Sequence, residues 1–181
     1  MPGESRWLAV VPRDDDTVGG GNGTEGADMA QLTVATPTGP FRLVEAEGVM
    51  VSCGWCDGPS DAAEATPLLR EAASQLEAYF AGRLTRFDLP WFVDRSPFQS
   101  EACALMAAIP FGETITYGEM AKALGVSAQA AGRGCGGNPL PVIVPCHRVL
   151  ATNGLGGFSA SGGVETKVWL LRHEGAAGLL I

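Results

Sequence analysis

The stretch "NPLPVIVPCHRVL", Asn138 to Leu150, closes an apolar, β-branched run with a proline and then sets a cysteine directly before a histidine. The chain has only two histidines, and this pairing uses one of them. If the run is a strand ending at Cys146, alternation points the side chains of Cys146 and His147 to opposite faces. Thiol and imidazole then cooperate only if a turn or a bridging water brings them together. A free cysteine titrates at about 8.5 and is mostly protonated at neutral pH. The thiolate is the nucleophile, so a reactive cysteine needs a nearby base or positive potential. The imidazole in turn needs a carboxylate to hold its tautomer. Glu174, in "WLLRHEG", is the available acid of the C-terminal helical segment. Taken alone, a Cys-His dipeptide more often marks a buried core thiol.

Upstream of this stretch the pattern is helical. "SPFQSEACALMAAIP" opens on a Ser cap followed by Pro. "TYGEMAKALG" predicts a short helix beginning near Thr116 and ended by Gly125, and "SAQAAGRGCGG" predicts another, capped by Ser127. The tight Gly-Val-Ser joint between them makes a helix-turn-helix candidate. The second helix is nearly all Ala and Gly, with Gln129 and Arg133 its only long side chains. Gly is poor for helix stability, so small residues there serve either close helix packing or approach to a narrow surface, such as a DNA minor groove about 6 Å wide.

The N-terminal half reads differently. "QLTVATPTG", "PFRLVEAEG" and "VMVSCGWC" are short runs separated by turn signals, which predicts antiparallel strands joined as hairpins. "ATPLLREAASQLEAYFAG" carries apolar residues at helical spacing up to Gly82. "LTRFDLPWFVDRS" connects the halves. Residues 1–30 include the Gly- and Asp-rich "RDDDTVGGGNGTEGAD", with little to bury, and are expected to be disordered.

Composition narrows the function classes. The net charge of −8 argues against nucleic acid, yet all the excess acid lies in one half. Residues 1–98 hold seven Lys/Arg and fifteen Asp/Glu, whereas residues 99–181 hold five of each. Any DNA-binding surface therefore belongs to the C-terminal half. Five irregularly spaced cysteines do not form a disulfide framework. Cys53 and Cys56 of "CGWC" form half of a zinc site or a redox pair only if further ligands join them; a strand-end coincidence is the simpler reading. No apolar run reaches the about 18 residues of a membrane span, and the N-terminus lacks the order of a secretory signal. A cytoplasmic, soluble monomer without metal or cofactor is expected.

Three segments carry a resemblance to a known family: "IPFGETITYGEMAKALG", "GNPLPVIVPCHRVL" and "GGFSASGGVETKVWLLRHEG". From about Gln31 to Gly175 the chain resembles the methylated-DNA–protein-cysteine methyltransferases, the alkylguanine-DNA alkyltransferases. The resemblance implies an α+β protein. A small α/β domain with an antiparallel, ribonuclease H-like sheet (31–90) precedes a helical domain with a winged helix-turn-helix (96–175). It implies one-turnover transfer of an alkyl group from O6-alkylguanine, flipped out of duplex DNA through the minor groove, to Cys146. His147 would be the water-mediated base, Glu174 its orienting acid, Asn138 the brace of the active-site turn and Tyr117 the proton donor to departing guanine. The Val149 carbonyl would read the guanine amino group. The loop holding Ser159, Ser161 and Gly162 would close over the alkyl group, and Arg148 would make a salt bridge at the domain junction. Gln129, Arg133, Thr116 and Gln99 would meet DNA.

The chain departs from the family pattern in three places. Gln129, in "QAAG", stands where an arginine usually fills the gap left by the extruded base. Ala102 and Cys103 replace a Val-Trp pair. The loop "GGFSASGG" is longer than the tighter Tyr-containing version. Two other functions compete: a non-catalytic sensor of alkylated DNA, against which the intact Cys146 weighs, and a Cys–His hydrolase.

Overall fold

The structure, a computed structural model, describes residues 29–58, 65–176 and 178. The disorder expected of residues 1–30 therefore falls, through residue 28, outside the described residues.

Strands β1 (Ala30–Thr36), β2 (Gly39–Ala46) and β3 (Val49–Trp55) form an antiparallel sheet in sequence order. The three turn-bounded runs predicted these strands closely. Along β2, Phe41, Leu43 and Glu45 alternate inward with the period of a half-buried strand. Helix α1 (Pro67–Phe80) packs against β1 and β2. It begins where the Thr66 side chain accepts the Leu69 amide and Pro67 takes the first helical position, and it buries the stripe Leu69, Ala72, Leu76 and Tyr79.

The free edge of β3 does not face solvent along its length. Residues 90–92 bond to it on both sides of Met50 (Met50 N–H to Pro90 O, 2.8 Å; Phe92 N–H to Met50 O, 3.0 Å). Further along, the Cys53 amide donates to Pro139 O at 2.9 Å. An edge strand is thus covered by the connection and by the segment that leads to Cys146. Buried apolar residues of both halves form one continuous cluster.

In the C-terminal half, α2 (Pro97–Ala107) starts at the Ser96 cap, and α3 (Tyr117–Leu124) starts at Thr116 with a reciprocal capping box to Glu119. Gly125 ends α3 at φ +66°, a left-handed conformation that most residues avoid, and Ser127 caps α4 (Ala128–Gly136). This is the expected helix-turn-helix pair, packed on α2. Ala102 and Cys103 are fully buried in α2, so their departure from Val-Trp is an interior substitution. Strands β4 (Ile115–Thr116) and β5 (Val149–Leu150) pair in parallel, and α5 (Gly163–His173) closes the domain. Among the described residues no helix is long and apolar enough to cross a membrane.

Candidate active site

The apolar run before Cys146 is a turn rather than the strand that its β-branched composition suggests. The Val144 amide reaches back to Leu140 O at 2.7 Å, and Val142 sits at φ +75°. A left-handed β-branched residue persists only where its surroundings over-determine it. Asn138 supplies part of that constraint. Its Nδ2 donates to Val144 O at 2.8 Å, and its Oδ1 accepts from the Leu140 amide at 3.0 Å, clamping both ends. The N-terminal sheet supplies more: the Cys53 thiol donates to Pro141 O at 3.3 Å. The chain then turns through one 3-10 turn, Cys146–Arg148, so neighbouring side chains leave in different directions without strand alternation.

His147 is fully buried, and its Nε2 lies 2.7 Å from Glu174 Oε1. The carboxylate holds the proton on Nε2, which leaves Nδ1 as the basic nitrogen. Among the described residues Nδ1 has no hydrogen-bond partner. Glu174, at the end of α5, also receives Arg148 Nε (2.8 Å), Arg148 NH2 (3.0 Å), the Gly112 amide (3.3 Å) and the Tyr79 hydroxyl (2.7 Å). Burial alone would raise its pKa, but the bonds from His147 and Arg148 outweigh it and hold the carboxyl far below its ordinary range. Burial pushes His147 below its ordinary value against the opposing pull of Glu174, so the imidazole is neutral at neutral pH. Burial pushes the Cys146 thiol up, opposed by a bond from Asn138 and the charge of Lys167.

A cavity of about 330 Å³ opens beside Cys146. Helix α4 contributes Gly132, Cys135 and Gly136, the loop between β5 and α5 contributes Gly157, Phe158 and Ser159, and Tyr117 stands at the start of α3. Gly156, at φ +71°, lets the loop pass so close to the Tyr117 ring that a Cβ would lie 2.9 Å from it. The Tyr117 hydroxyl is 3.5 Å from Gly157 O, and burial raises its pKa, keeping it a donor. Of the loop residues expected to meet substrate, Ser159 lines the cavity. Ser161 and Gly162 instead build the entrance to α5, where Thr166 Oγ1 donates to Ser161 O at 3.0 Å.

Lys167 escaped the sequence reading. It is fully buried, and its Nζ donates to Val149 O at 2.7 Å and to Gly157 O at 3.2 Å. It therefore ties the candidate guanine-reading carbonyl to the loop over the cavity. The available signal was a lysine on the buried stripe of α5, three and four residues before Leu170 and Leu171. Tyr79, Cys135 and Phe158 were likewise missed.

Helix α4 turns Gln129 and Arg133 outward, both exposed. Its glycines fall in two settings. A Cβ on Gly134 would lie 3.0 Å from that of Ala102, so this glycine permits close packing on α2. Gly132 and Gly136 have open space before them. Thr116 is half-buried, with its hydroxyl engaged in the α3 cap. The expectation that Gln99 meets DNA requires correction: it is 7% exposed and its amide donates inward to Gly134 O at 2.7 Å. A polar side chain so placed satisfies the interior and cannot reach a phosphate.

The cysteines of "CGWC" diverge. Cys53 is buried against Pro141, while the Cys56 thiol donates to Gly58 O at 3.4 Å. All five cysteines are free, and among the described residues no cluster of three or more His, Cys, Asp or Glu could hold a metal.

Residues 29–91 match the family described as 6-O-methylguanine DNA methyltransferase, ribonuclease-like domain, and residues 97–176 match its DNA binding domain. A Methanosarcina acetivorans relative named methylated-DNA–protein-cysteine methyltransferase is 38% identical over 150 residues, covering 78% of this chain and 95% of its own. A Metallosphaera sedula protein of the same name is 34% identical, covering 80% and 92%. Among solved structures, the O6-methylguanine methyltransferase of Mycobacterium tuberculosis superposes with a TM-score of 0.73 at 34% identity, covering 81% and 93%. OGT from the same organism, solved in complex with DNA, gives 0.72 at 35%, covering 83% and 96%.

Proposed function

Because this chain belongs to the methylated-DNA–protein-cysteine methyltransferase family, we propose that it repairs duplex DNA by moving the alkyl group of O6-alkylguanine onto Cys146. The observation that carries the reading is the placement of that thiol. Cys146 lines a cavity bordered by α4, and beside it in sequence stands an imidazole whose Nε2 is held by Glu174 and whose buried Nδ1 has no partner among the described residues.

The lesion is inaccessible within stacked DNA, so the nucleotide is flipped into the cavity from the minor groove. Helix α4 suits that approach, with open space before Gly132 and Gly136 and the long side chains of Gln129 and Arg133 outward. His147 Nδ1 takes the Cys146 proton through a water, and the sulfur attacks the alkyl carbon as the carbon–oxygen bond breaks. Guanine leaves with developing negative charge, and the Tyr117 hydroxyl supplies a proton to it. Asn138 keeps the turn in place. The Val149 carbonyl accepts from the guanine amino group on the lone pair that Lys167 leaves free. The product is a thioether with no easy hydrolytic route back to thiol, so each molecule acts once, as a monomer. Five free thiols suit a reducing cytoplasm.

Intact-protein mass spectrometry after incubation with a duplex containing O6-methylguanine tests the proposal. Wild type gains one methylene on Cys146, and Cys146→Ala gains nothing. Label on Cys135 or Cys103 in the variant, or no gain in wild type, overturns it.

A further inference from the structure

The tryptophan of "CGWC" is where the N-terminal sheet reaches the cavity. Trp55, the last residue of β3, stands edge-on to Phe158, with ring centroids 6.2 Å apart and planes at 75°. Phe158 lines the cavity. The indole itself is held from several sides. Phe41 meets it edge-on at 4.9 Å, and its Nε1 donates at 2.9 Å to Thr38 Oγ1 in the β1–β2 turn. The strand that carries it is tied to the segment before Cys146 by the Cys53 bonds to Pro139 O and Pro141 O. The strand of Trp55 is thus tied to the segment before the reacting sulfur by one backbone bond and one thiol–carbonyl bond.

The loop carrying Phe158 has fewer anchors. Lys167 holds Gly157 O at 3.2 Å, while Ser159 Oγ and the Tyr117 hydroxyl make contacts at 3.5 Å, the long end of hydrogen bonding. These bonds hold the loop backbone and Ser159 rather than the Phe158 ring; the half-buried ring packs against the core and has its aromatic contact with Trp55.

We propose that Trp55 is a specificity-determining residue, which acts by fixing Phe158 as a wall of the cavity and so sets the size of alkyl group accepted. The inference rests on the reading that this cavity receives the alkylated base. An edge-to-face aromatic pair favours one ring orientation over its alternatives. With the indole gone, the phenyl ring swings toward the vacated space and the wall yields. A methyl group then loses contact and positioning, whereas a bulky group gains room.

Single-turnover transfer from free O6-methylguanine and free O6-benzylguanine tests this without involving DNA binding. Trp55→Ala and Phe158→Ala are each expected to raise the benzyl-to-methyl rate ratio, by roughly two- to tenfold. The double variant should go no further than the larger single effect, because both changes release the same wall. Trp55→Phe should stay near the wild-type ratio. Thr38→Val, which removes the acceptor of the indole N–H together with a hydroxyl contact to Thr36, should shift the ratio in the same direction by less, and serves if Trp55→Ala does not fold. A Trp55→Ala or Thr38→Val ratio equal to wild type, or fully additive effects of Trp55→Ala and Phe158→Ala, overturns the inference. A wild type that transfers neither group defeats the functional reading itself.

Discussion

Tyr79, on the helix of the N-terminal sheet domain, donates its hydroxyl to Glu174 Oε1 at 2.7 Å, and the same oxygen lies 2.7 Å from His147 Nε2. The N-terminal half therefore contributes a hydrogen bond to the acid behind the candidate base. Tyr79 is fully buried, and burial together with the Glu174 charge raises its pKa strongly, so it acts only as donor. Tyr79→Phe should lose about 1.5–3 kcal/mol of stability, the worth of a bond to a charged group. Transfer should slow much less, since Arg148 and Gly112 keep the carboxylate ionised. Urea unfolding beside single-turnover kinetics checks both. A rate loss as large as that of Glu174→Gln would mean that Tyr79, rather than the carboxylate charge, governs His147.

Glu174→Gln should weaken catalysis and the fold together. It leaves the Arg148 guanidinium buried and unpaired, which costs about 3–5 kcal/mol. It also removes the partner that raises the basicity of His147, so transfer at neutral pH should fall by a factor similar to that of His147→Gln. Chemical denaturation and single-turnover rates at neutral pH measure the two effects. Equal wild-type and variant thiol reactivity across the pH range would count against the network.

The pH dependence follows from the same groups. Burial lowers the His147 pKa, so the loss of transfer with acid, as Nδ1 protonates, should come at a lower pH than for an ordinary imidazole. The Glu174 carboxyl is depressed below its ordinary 4.5. Its contribution to stability is complete above that value and is lost as pH falls toward the folded pKa. Thermal melts across the acid range should show this loss in wild type, and Glu174→Gln should lack that component.

Tyr117→Phe should slow the chemical step more than it weakens binding, because proton donation matters chiefly as guanine departs. A loss of about 10- to 100-fold in the saturating single-turnover rate is expected, the low end of general acid catalysis. An unchanged saturating rate would rule out this role for the hydroxyl.

Gln129 is exposed on α4, where an arginine would add a charged donor. Gln129→Arg should bind duplex DNA more tightly and with steeper salt dependence, by up to about one extra counterion released. Transfer from free benzylguanine, which needs no flipping, should not change. Titrations at several salt concentrations with a parallel free-base assay decide this. If both assays respond alike, position 129 is not the residue that fills the vacated stack.

What the sequence determined by itself is local. Thr66, Ser96, Thr116 and Ser127 cap helices by bonding an amide three residues on, and Gly125 ends α3 because its own φ is positive. Such interactions involve only near neighbours, so residue type and spacing suffice to read them, as they do for the hairpin strands. The motif around Cys146 likewise pointed to His147 and Glu174. Only tertiary structure decided what surrounds them. Tyr79 meets Glu174 across ninety-five positions, and Trp55 meets Phe158 from another domain. Lys167 and Gln99 look like ordinary surface residues until two carbonyls claim the ammonium and Gly134 O claims the amide. Burial of a polar group depends on whether a distant partner offsets its desolvation; the apolar stripe of α5 marks where Lys167 lies, but not the carbonyls that receive it.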